Sequence, residues 1–450
     1  MNKKQSLDLT SGPIFKTLAS LAMPIMASSF LATAYNITDM AWIGMLGSKA
    51  VAGVGVGGMF VWLSQGLVLF PRMGGQVNMA QCCGSRRFSE ARSYAAAALQ
   101  LTILFGILFG GVCLLFSDPL LSFFQMDDGE TYHAAEIYMM ITCGLIIFSY
   151  LTQTLTGLYT AQGDSKTPFK ANLIGLIANM VLDPLLVLGY GPFPRLEAAG
   201  AAIATVIGNL CAVLYFLAVV LKRSRILSVS LRSWKIPPAY VGQILGIGIP
   251  AAIVNIMSSV STVLINQFLL PYGNDKIAAM GIATKVSMIV LLVLTGLAFG
   301  GQPLFGYYFG AGDKERLSQL LKFCLRFISA VALALSALVF AFAPLLMRCF
   351  MSDETIVTQG ALMLRWQVTS MVFVGIVLLM TIVFQSAGKV VGSFLLSIGR
   401  QGVIFLAVIL IAYFTLGYRG VIVSQAAADF LTAIGACLLF YKQLYKDFRH

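Results

Sequence analysis

Twelve long apolar runs constrain the fold of this chain more than any other feature of its sequence. A membrane-spanning helix needs about 20 mostly apolar residues. With 58% hydrophobic and 11% charged residues, the chain cannot be an ordinary soluble protein, and its runs are far longer than the strands of a membrane β-barrel. The sequence therefore predicts an all-α integral membrane protein with twelve transmembrane helices, at Ile14–Ile43, Val51–Ala80, Ala91–Phe116, Ala134–Ala161, Phe169–Leu188, Gly200–Leu221, Val241–Leu270, Ile277–Phe309, Leu317–Leu346, Val357–Ala387, Val391–Leu416 and Gly420–Tyr441.

The positive charges predict how these helices are oriented. Most of the 30 Lys and Arg residues fall near the termini and in alternate loops, which the positive-inside rule assigns to the cytoplasm. We therefore expect a bacterial cytoplasmic (inner) membrane protein with both termini in the cytoplasm. Lys389 and Arg400 are counted among the cytoplasmic loop charges, whereas Arg72 and Arg365 fall within spans and are expected to extend toward the membrane surface. This distribution accounts for the net charge of +12 without nucleic acid as a partner.

Cysteine and histidine usage argues against several kinds of site. The 8 cysteines show no CxxC spacing and lie mostly within apolar runs, so neither a disulfide framework nor a zinc site is expected. The adjacent pair Cys82 and Cys83 is interpreted as incidental. The 2 histidines, His133 and His450, are too few for a histidine-based catalytic or metal cluster. No cofactor is expected.

An internal repeat divides the chain into two halves. A constant offset in numbering maps Pro24 onto Pro250, and it maps Gly74-Gly75-Gln76 onto Gly300-Gly301-Gln302. Six spans per half make this a parallel repeat, an architecture typical of secondary transporters. We predict two pseudo-symmetric six-helix lobes, an amino-terminal lobe of residues 1–225 and a carboxy-terminal lobe of residues 226–450.

Two acids within the amino-terminal spans are the strongest indication of a functional site. Asp39 lies in the first span with no basic residue within a turn or two, and Ile265 occupies its place in the repeat. In the fifth span, Asn172, Asn179 and Asp183 follow i, i+7, i+11 spacing and share one helix face. Acids deep in a membrane are costly and by default mark an ion or proton site.

The rise per residue places Asp39, Asp183 and Thr205 at one level. Each lies seven or eight residues from the outer end of its span, which is roughly 10–12 Å at about 1.5 Å per residue. Three helices therefore offer oxygen ligands together, and the two carboxyl groups are expected to titrate as a pair. The structural alternative is that Asn179 and Thr205 hold the acids only to stabilise the bundle; we favour function, because structural roles rarely justify buried acids.

Other polar residues within the spans allow two interpretations each. Asn36, Asn255 and Asn266 either line a substrate cavity or pack helices together, and Lys285 either lines a cavity or reaches the membrane surface. Asp429, one turn after Gln425, is more typical of a satisfied structural acid. The complete set of candidate cavity residues is Tyr35, Asn36, Asn172, Asn209, Asn255, Asn266 and Lys285.

Three segments carry a family resemblance. They are YNITDMAWIGMLGSKAVAGVGV (35–56), GLYTAQGDSKTP (157–168), and NMVLDPLLVLGYG (179–191) followed by AAGAAIAT (198–205). In this order they resemble the multidrug and toxic compound extrusion (MATE) transporters, and the resemblance covers almost the whole chain. Asn255 stands in the seventh span, where some members of the family carry an acid, and the tenth span has no acid. This departure favours the DNA-damage-inducible-like subgroup.

The resemblance implies a fold, a function and a site. The two six-helix lobes would form a V around a central cavity. The protein, a monomer among membrane lipids, would export small organic cations or amphipathic compounds in exchange for H⁺ or Na⁺. Carried over residue by residue, the cation site would fall on Asp39, Asn179, Asp183 and Thr205, and Na⁺ would be the metal ion it could bind.

Two alternative functions remain, one within transport and one from another class of protein. A flippase for lipid-linked sugars with a related fold would need a large basic cavity, for which only Lys285 and Arg365 give a hint. A membrane enzyme acting on lipids would need a nucleophile, a histidine or a metal set near the surface, and the short loops lack one. We therefore predict a cation-coupled antiporter that works by alternating access and is not an enzyme.

Overall fold

The protein is almost entirely helical in the residues that its computed structural model describes, which are 14–124, 129–190, 194–223, 238–350 and 353–448. Its α-helices are α1 (Ile14–Gly44), α2 (Ser48–Gly84), α3 (Phe88–Leu115), α4 (Ser117–Ser122), α5 (Gly129–Gly144), α6 (Ile147–Ala161), α7 (Lys166–Val187), α8 (Glu197–Arg223), α9 (Pro238–Leu269), α10 (Asn274–Ala311), α11 (Lys314–Ala341), α12 (Ala343–Arg348), α13 (Glu354–Thr369), α14 (Met371–Ser386), α15 (Val390–Ile398), α16 (Ile404–Leu416), α17 (Tyr418–Gln443) and α18 (Tyr445–Phe448). A 3₁₀ turn (Leu270–Tyr272) follows α9, and a π-helical turn (Gly399–Val403) joins α15 to α16.

The membrane spans agree with the prediction of twelve. Within the described residues, 10 helical segments are individually long and apolar enough to cross a membrane, and two bent helix pairs bring the number to 12. The bent pairs are α5 with α6, at 46°, and α13 with α14, at 42°. The all-α membrane fold class is therefore confirmed. The predicted fourth and tenth spans, however, are broken helices rather than continuous ones.

The two breaks occur at corresponding places in the repeat. In the first half, α5 ends at Gly144 and α6 begins at Ile147; in the second half, α13 ends at Thr369 and α14 begins at Met371. Neither break contains a proline, the usual cause of a sharp helix kink. The apolar pattern runs through both breaks, and for this reason the sequence predicts uninterrupted spans.

The chain divides into two compact units. The first is built from Met23–Gly248, and the second from Ile249–His450 together with the described residues up to Ala22. The helices α1 and α9 therefore each begin in one unit and end in the other. The predicted lobe boundary at residues 225 and 226 lies outside the described residues.

Glycines on α2 and α10 allow the first turns of α9 and α1 to pack closely against them. In the first unit, a Cβ on Gly74 of α2 would lie 2.1 Å from the carbonyl oxygen of Ile244 in α9. In the second unit, a Cβ on Gly300 of α10 would lie 2.4 Å from the Cβ of Ala22 in α1. Gly74 and Gly300 are related by the repeat, so the same close crossing is built twice.

An apolar cluster fixes the helices that carry the candidate site. Ile43 of α1, Val54 of α2, Tyr138 of α5 and Val187 of α7 pack together with three alanines at the start of α8. Ile43 lies one turn after Asp39, and Val187 lies one turn after Asp183. Burial of these side chains therefore holds the two acid-bearing helices in register.

Candidate functional site

Asp39 and Asp183, on separate helices, meet inside the first unit. Their side chains are 8% and 0% exposed, and the two carboxyl groups lie close enough to interact electrostatically. Two ionised carboxylates this close would repel each other in surroundings that screen charge poorly. A proton or a small cation bound between the two acids would remove that repulsion.

Asn179 lies one turn before Asp183 on α7 and supports it. Its Nδ2 donates to Asp183 Oδ1 over 3.4 Å. The other side-chain oxygens, Asn179 Oδ1 and Asp183 Oδ2, are buried and have no hydrogen-bond partner among the described residues. A buried polar atom without a partner costs about 1–3 kcal/mol. Such oxygens are suitable acceptors for a proton donor or a small cation.

Tyr138 is a third residue beside the acids, and sequence reasoning missed it. It lies on α5, is 8% exposed, and interacts electrostatically with both Asp39 and Asp183. A tyrosine within an apolar span is usually a packing residue, so no signal in the sequence distinguished it. Only the approach of α5 to α1 and α7 gives it a place in the site.

A cavity of about 410 Å³ opens next to this acid pair, within the first unit. Asn179 is part of its wall, so one amide side chain touches both the cavity and the acids. Of the predicted residues, the cavity brings together Asn172, Asn179, Thr205 and Asn209. Its other lining residues, none of them predicted, are Ser28, Leu31, Ala32, Gln65, Ser149, Thr152, Gln153, Leu173, Gly175, Leu176, Gly208 and Ala212.

Arg72 is near this wall rather than at the membrane surface. Its Nη1 donates to Gln153 Oε1 over 3.4 Å, and Gln153 Nε2 donates in turn to Gln65 Oε1 over 2.8 Å. The guanidinium Nε is buried. The prediction that Arg72 extends toward the surface is therefore wrong, because α6 supplies an acceptor for it inside the bundle.

The remaining predicted cavity residues have other positions. The side chains of Tyr35, Asn36 and Asn255 lie outside the described part of the chain. Asn266 on α9 and Lys285 on α10 belong to the second unit and do not line this cavity, and Lys285 is exposed.

Asp429 in the second unit is a satisfied acid, as predicted. It is 1% exposed and forms an ion pair with Arg400, with 2.9 Å between Oδ1 and Nε. Ser370 Oγ donates to it over 2.8 Å, and Gln425 Nε2 over 3.2 Å. Counting Arg400 as a cytoplasmic loop charge was wrong, because it lies in the π-helical turn and its side chain is only 12% exposed.

Comparison with known proteins gives one family and several relatives. A family model described as MatE matches residues 24–185 and again 250–411, and the two matches are related by the offset that maps Pro24 onto Pro250. The multidrug export protein MepA of Staphylococcus aureus (strain MRSA252) is 26% identical over 449 residues, covering 98% of this chain and 96% of the relative. MepA of Staphylococcus saprophyticus is also 26% identical, with the same coverage of both chains.

Solved structures share the fold. A MATE crystal structure in the bent conformation superimposes with a TM-score of 0.91 at 22% identity, covering 99% of each chain. The outward-facing structure of a multidrug resistance MATE family transporter gives a TM-score of 0.90 at 23% identity, covering 100% of each chain. At these identities the likeness shows the architecture.

Proposed function

Because the chain belongs to the MatE family, we propose that it is a multidrug exporter that exchanges cationic or amphipathic compounds for protons across the cytoplasmic membrane. Its place in this family makes it a transporter rather than an enzyme. The relatives of similar length are named as multidrug export proteins, and we infer the same activity here. Both termini would be cytoplasmic.

One observation supports the choice of the proton as coupling ion, namely the approach of the buried Asp39 and Asp183 carboxyl groups to each other. Two ionised carboxylates in contact would repel each other in surroundings that screen charge poorly. A shared proton removes that repulsion. Loss of the proton turns an attraction between α1 and α7 into a repulsion, and this change is the switch that we propose for the transport cycle.

Asn179 would couple the proton to the transported compound. It donates to Asp183 and also lines the cavity, so a cationic or donor group in the cavity competes for the same oxygens. A ligand shifts a conformational equilibrium only through a difference in its affinity for the two states. Here the proton favours the conformation in which the two acids are paired, and the transported compound favours the conformation in which they are separated.

The cavity wall fits amphipathic compounds. Its polar groups are amides and hydroxyls, set among leucine, alanine and glycine. Uncharged groups of this kind accept many ligand shapes without the cost of an unpaired buried charge. The flippase alternative gains no support from this cavity, since no lysine or arginine is among the described residues that line it.

The test is dye efflux from proteoliposomes under an imposed pH gradient and, separately, under an imposed sodium gradient. We expect the pH gradient alone to drive efflux of a fluorescent cationic dye. Asp39→Asn and Asp183→Asn should each lower this efflux at least tenfold, because an amide occupies the same space but does not exchange a proton. Their thermal unfolding temperatures should match or exceed that of the wild type, since a neutral amide is less costly to bury than an acid.

The matched control is Asp275→Asn, which changes an exposed acid at the start of α10 and should leave efflux unchanged. Wild-type efflux by both site variants would remove the acid pair from the mechanism. Efflux driven by sodium and not by protons would overturn the choice of ion while leaving export in place.

A further inference from the structure

Two thiols that the transport mechanism does not use lie against each other in the first unit. Cys113 on α3 and Cys143 on α5 are free cysteines, are 1% and 0% exposed, and lie in one buried cluster close enough to interact. They belong to an apolar cluster with Phe60, Leu121 and Met139. Thirty residues of sequence separate the two thiols, so their contact is a product of the fold.

The backbones of α3 and α5 approach closely at this point. A Cβ on Gly110 would lie 2.8 Å from the carbonyl oxygen of Cys143 in α5, and a Cβ on Gly106 would lie 3.2 Å from the Cα of Ile147, the first residue of α6. Glycines one and two turns before Cys113 therefore let the helices come together. A disulfide requires two Cα atoms about 4.4–6.8 Å apart with facing Cβ atoms, and a close helix crossing with two thiols in one buried cluster favours this geometry.

We propose that Cys113 and Cys143 form an oxidisable dithiol, which hydrogen peroxide or a related hydroperoxide converts to a disulfide. One sulfur, as thiolate, attacks a peroxide oxygen; the O–O bond breaks, a sulfenic acid forms, and the released hydroxide takes up the thiol proton as water. The second thiol then displaces the sulfenic oxygen as a second water. Two thiols lose two electrons in all, and the peroxide gains them.

The position of the pair gives this bond a consequence for transport. Cys143 is next to the last residue of α5, beside the break before α6 that bends the fourth span by 46°. Tyr138, on the same helix, interacts with both acids of the candidate ion site. A covalent link from α5 to α3 would fix the helix that connects the break to the acid pair. The oxidised protein should therefore transport more slowly.

Four of the other described cysteines provide internal controls. Cys349 and Cys437 are exposed and report directly on the dose of oxidant. Cys82 and Cys83 are successive residues of one helix, and successive side chains point to different faces. These four should not give a linkage between α3 and α5.

The first measurement is peptide mapping of the purified full-length protein. Peroxide is raised until Cys349 and Cys437 no longer react with an alkylating reagent, and the chain is then digested and analysed by mass spectrometry. We expect a linked peptide pair containing Cys113 and Cys143, which dithiothreitol separates. Absence of this pair at that dose overturns the proposal, and the result does not depend on whether the protein transports anything.

The second measurement is dye efflux before and after the same treatment. Oxidation should slow wild-type efflux at least fivefold, and dithiothreitol should restore it. Cys113→Ala and Cys143→Ala should each keep most of their efflux after peroxide, whereas Cys82→Ala should respond like the wild type. A linked pair with unchanged wild-type efflux would overturn the effect on transport. If an alanine variant does not fold, peptide mapping of the wild type still decides whether the bond forms.

Discussion

Both units bury a carboxyl group, yet the surroundings of these acids differ. Asp429 has an ion-paired arginine and two further hydrogen-bond donors. Asp183 has an amide donor and a second carboxyl group, and no lysine or arginine of the described residues pairs with it. Loss of Asp429 should therefore affect stability, and loss of Asp183 should affect coupling.

We expect Asp429→Asn to destabilise the protein by about 3 kcal/mol, because it leaves the Arg400 guanidinium buried without its counter-charge. The measurement is thermal unfolding in detergent. The double variant Asp429→Asn, Arg400→Gln removes both charges and should recover much of the loss. A single variant that unfolds at the wild-type temperature would contradict this account of the ion pair.

The sequence predicted those parts of the site that depend on local spacing. Asn179 and Asp183 are one turn apart, so helical periodicity alone puts them on one face. Asp39 was identified because an unpaired acid within an apolar span is costly and by default marks an ion or proton site. The sequence did not predict Tyr138 or the acceptor for Arg72, because these contacts join helices far apart in the chain. Gln153 is 81 residues from Arg72, and no pattern within one span encodes such a pairing.

At the scale of helices, the crossing of α2 with the start of α9 depends on a missing side chain. Gly74 is in contact with the backbone at Ile244, whereas Gly66, two turns earlier on the same helix, faces open space. Alanine substitutions at these two glycines are therefore expected to have opposite effects on the stability of the protein.

Gly74→Ala should lower the unfolding temperature, since its Cβ would overlap the Ile244 carbonyl and overpacking typically costs 1–3 kcal/mol. Gly66→Ala should leave the temperature unchanged or raise it slightly, because alanine is the better helix former by roughly 0.5–1 kcal/mol. Thermal unfolding of both variants under identical conditions makes the comparison. Equal effects would show that the crossing is less tight than described.

Helix positions were more predictable than helix irregularities. Hydropathy located all twelve spans because the membrane requires long apolar runs. It did not locate the breaks after Gly144 and Thr369, or the π-helical turn at Gly399–Val403. The π-helical turn, for example, is contacted by another helix, through the bond from Ser261 Oγ on α9 to the carbonyl oxygen of Gln401 over 2.5 Å.

At the scale of the whole chain, each compact unit contains the first turns of one helix from the other half of the sequence. The start of α9 lies in the first unit, where the Tyr94 hydroxyl donates to Gln243 Oε1 and the ring of Tyr94 packs edge-on against Tyr240 at 4.7 Å. The start of α1 lies in the second unit, where Phe15 packs on Phe323. The halves of the sequence are therefore structurally interdependent.

Two fragments made by cutting the chain between α8 and α9 should co-purify when they are expressed in one cell. The first fragment contains the start of α1, which belongs to the second unit, and the second fragment contains the start of α9, which belongs to the first unit. A tag on the first fragment should retain the second in mild detergent. The same fragments carrying Gly74→Leu and Gly300→Leu should separate more readily. Wild-type fragments that do not associate would contradict the exchange of helix starts.

In the proposed proton-coupled cycle, the pair Asp39 and Asp183 would also limit how steep a drug gradient the protein could build. Two carboxyl groups carry at most two protons inward per cycle, and Asp429 adds none while it is bound to Arg400. Each net charge moved inward across 100 mV contributes about 2.3 kcal/mol. Since about 1.4 kcal/mol is a factor of ten, one charge supports roughly a 50-fold gradient at that voltage. Such an exporter is suited to compounds that re-enter the cell slowly.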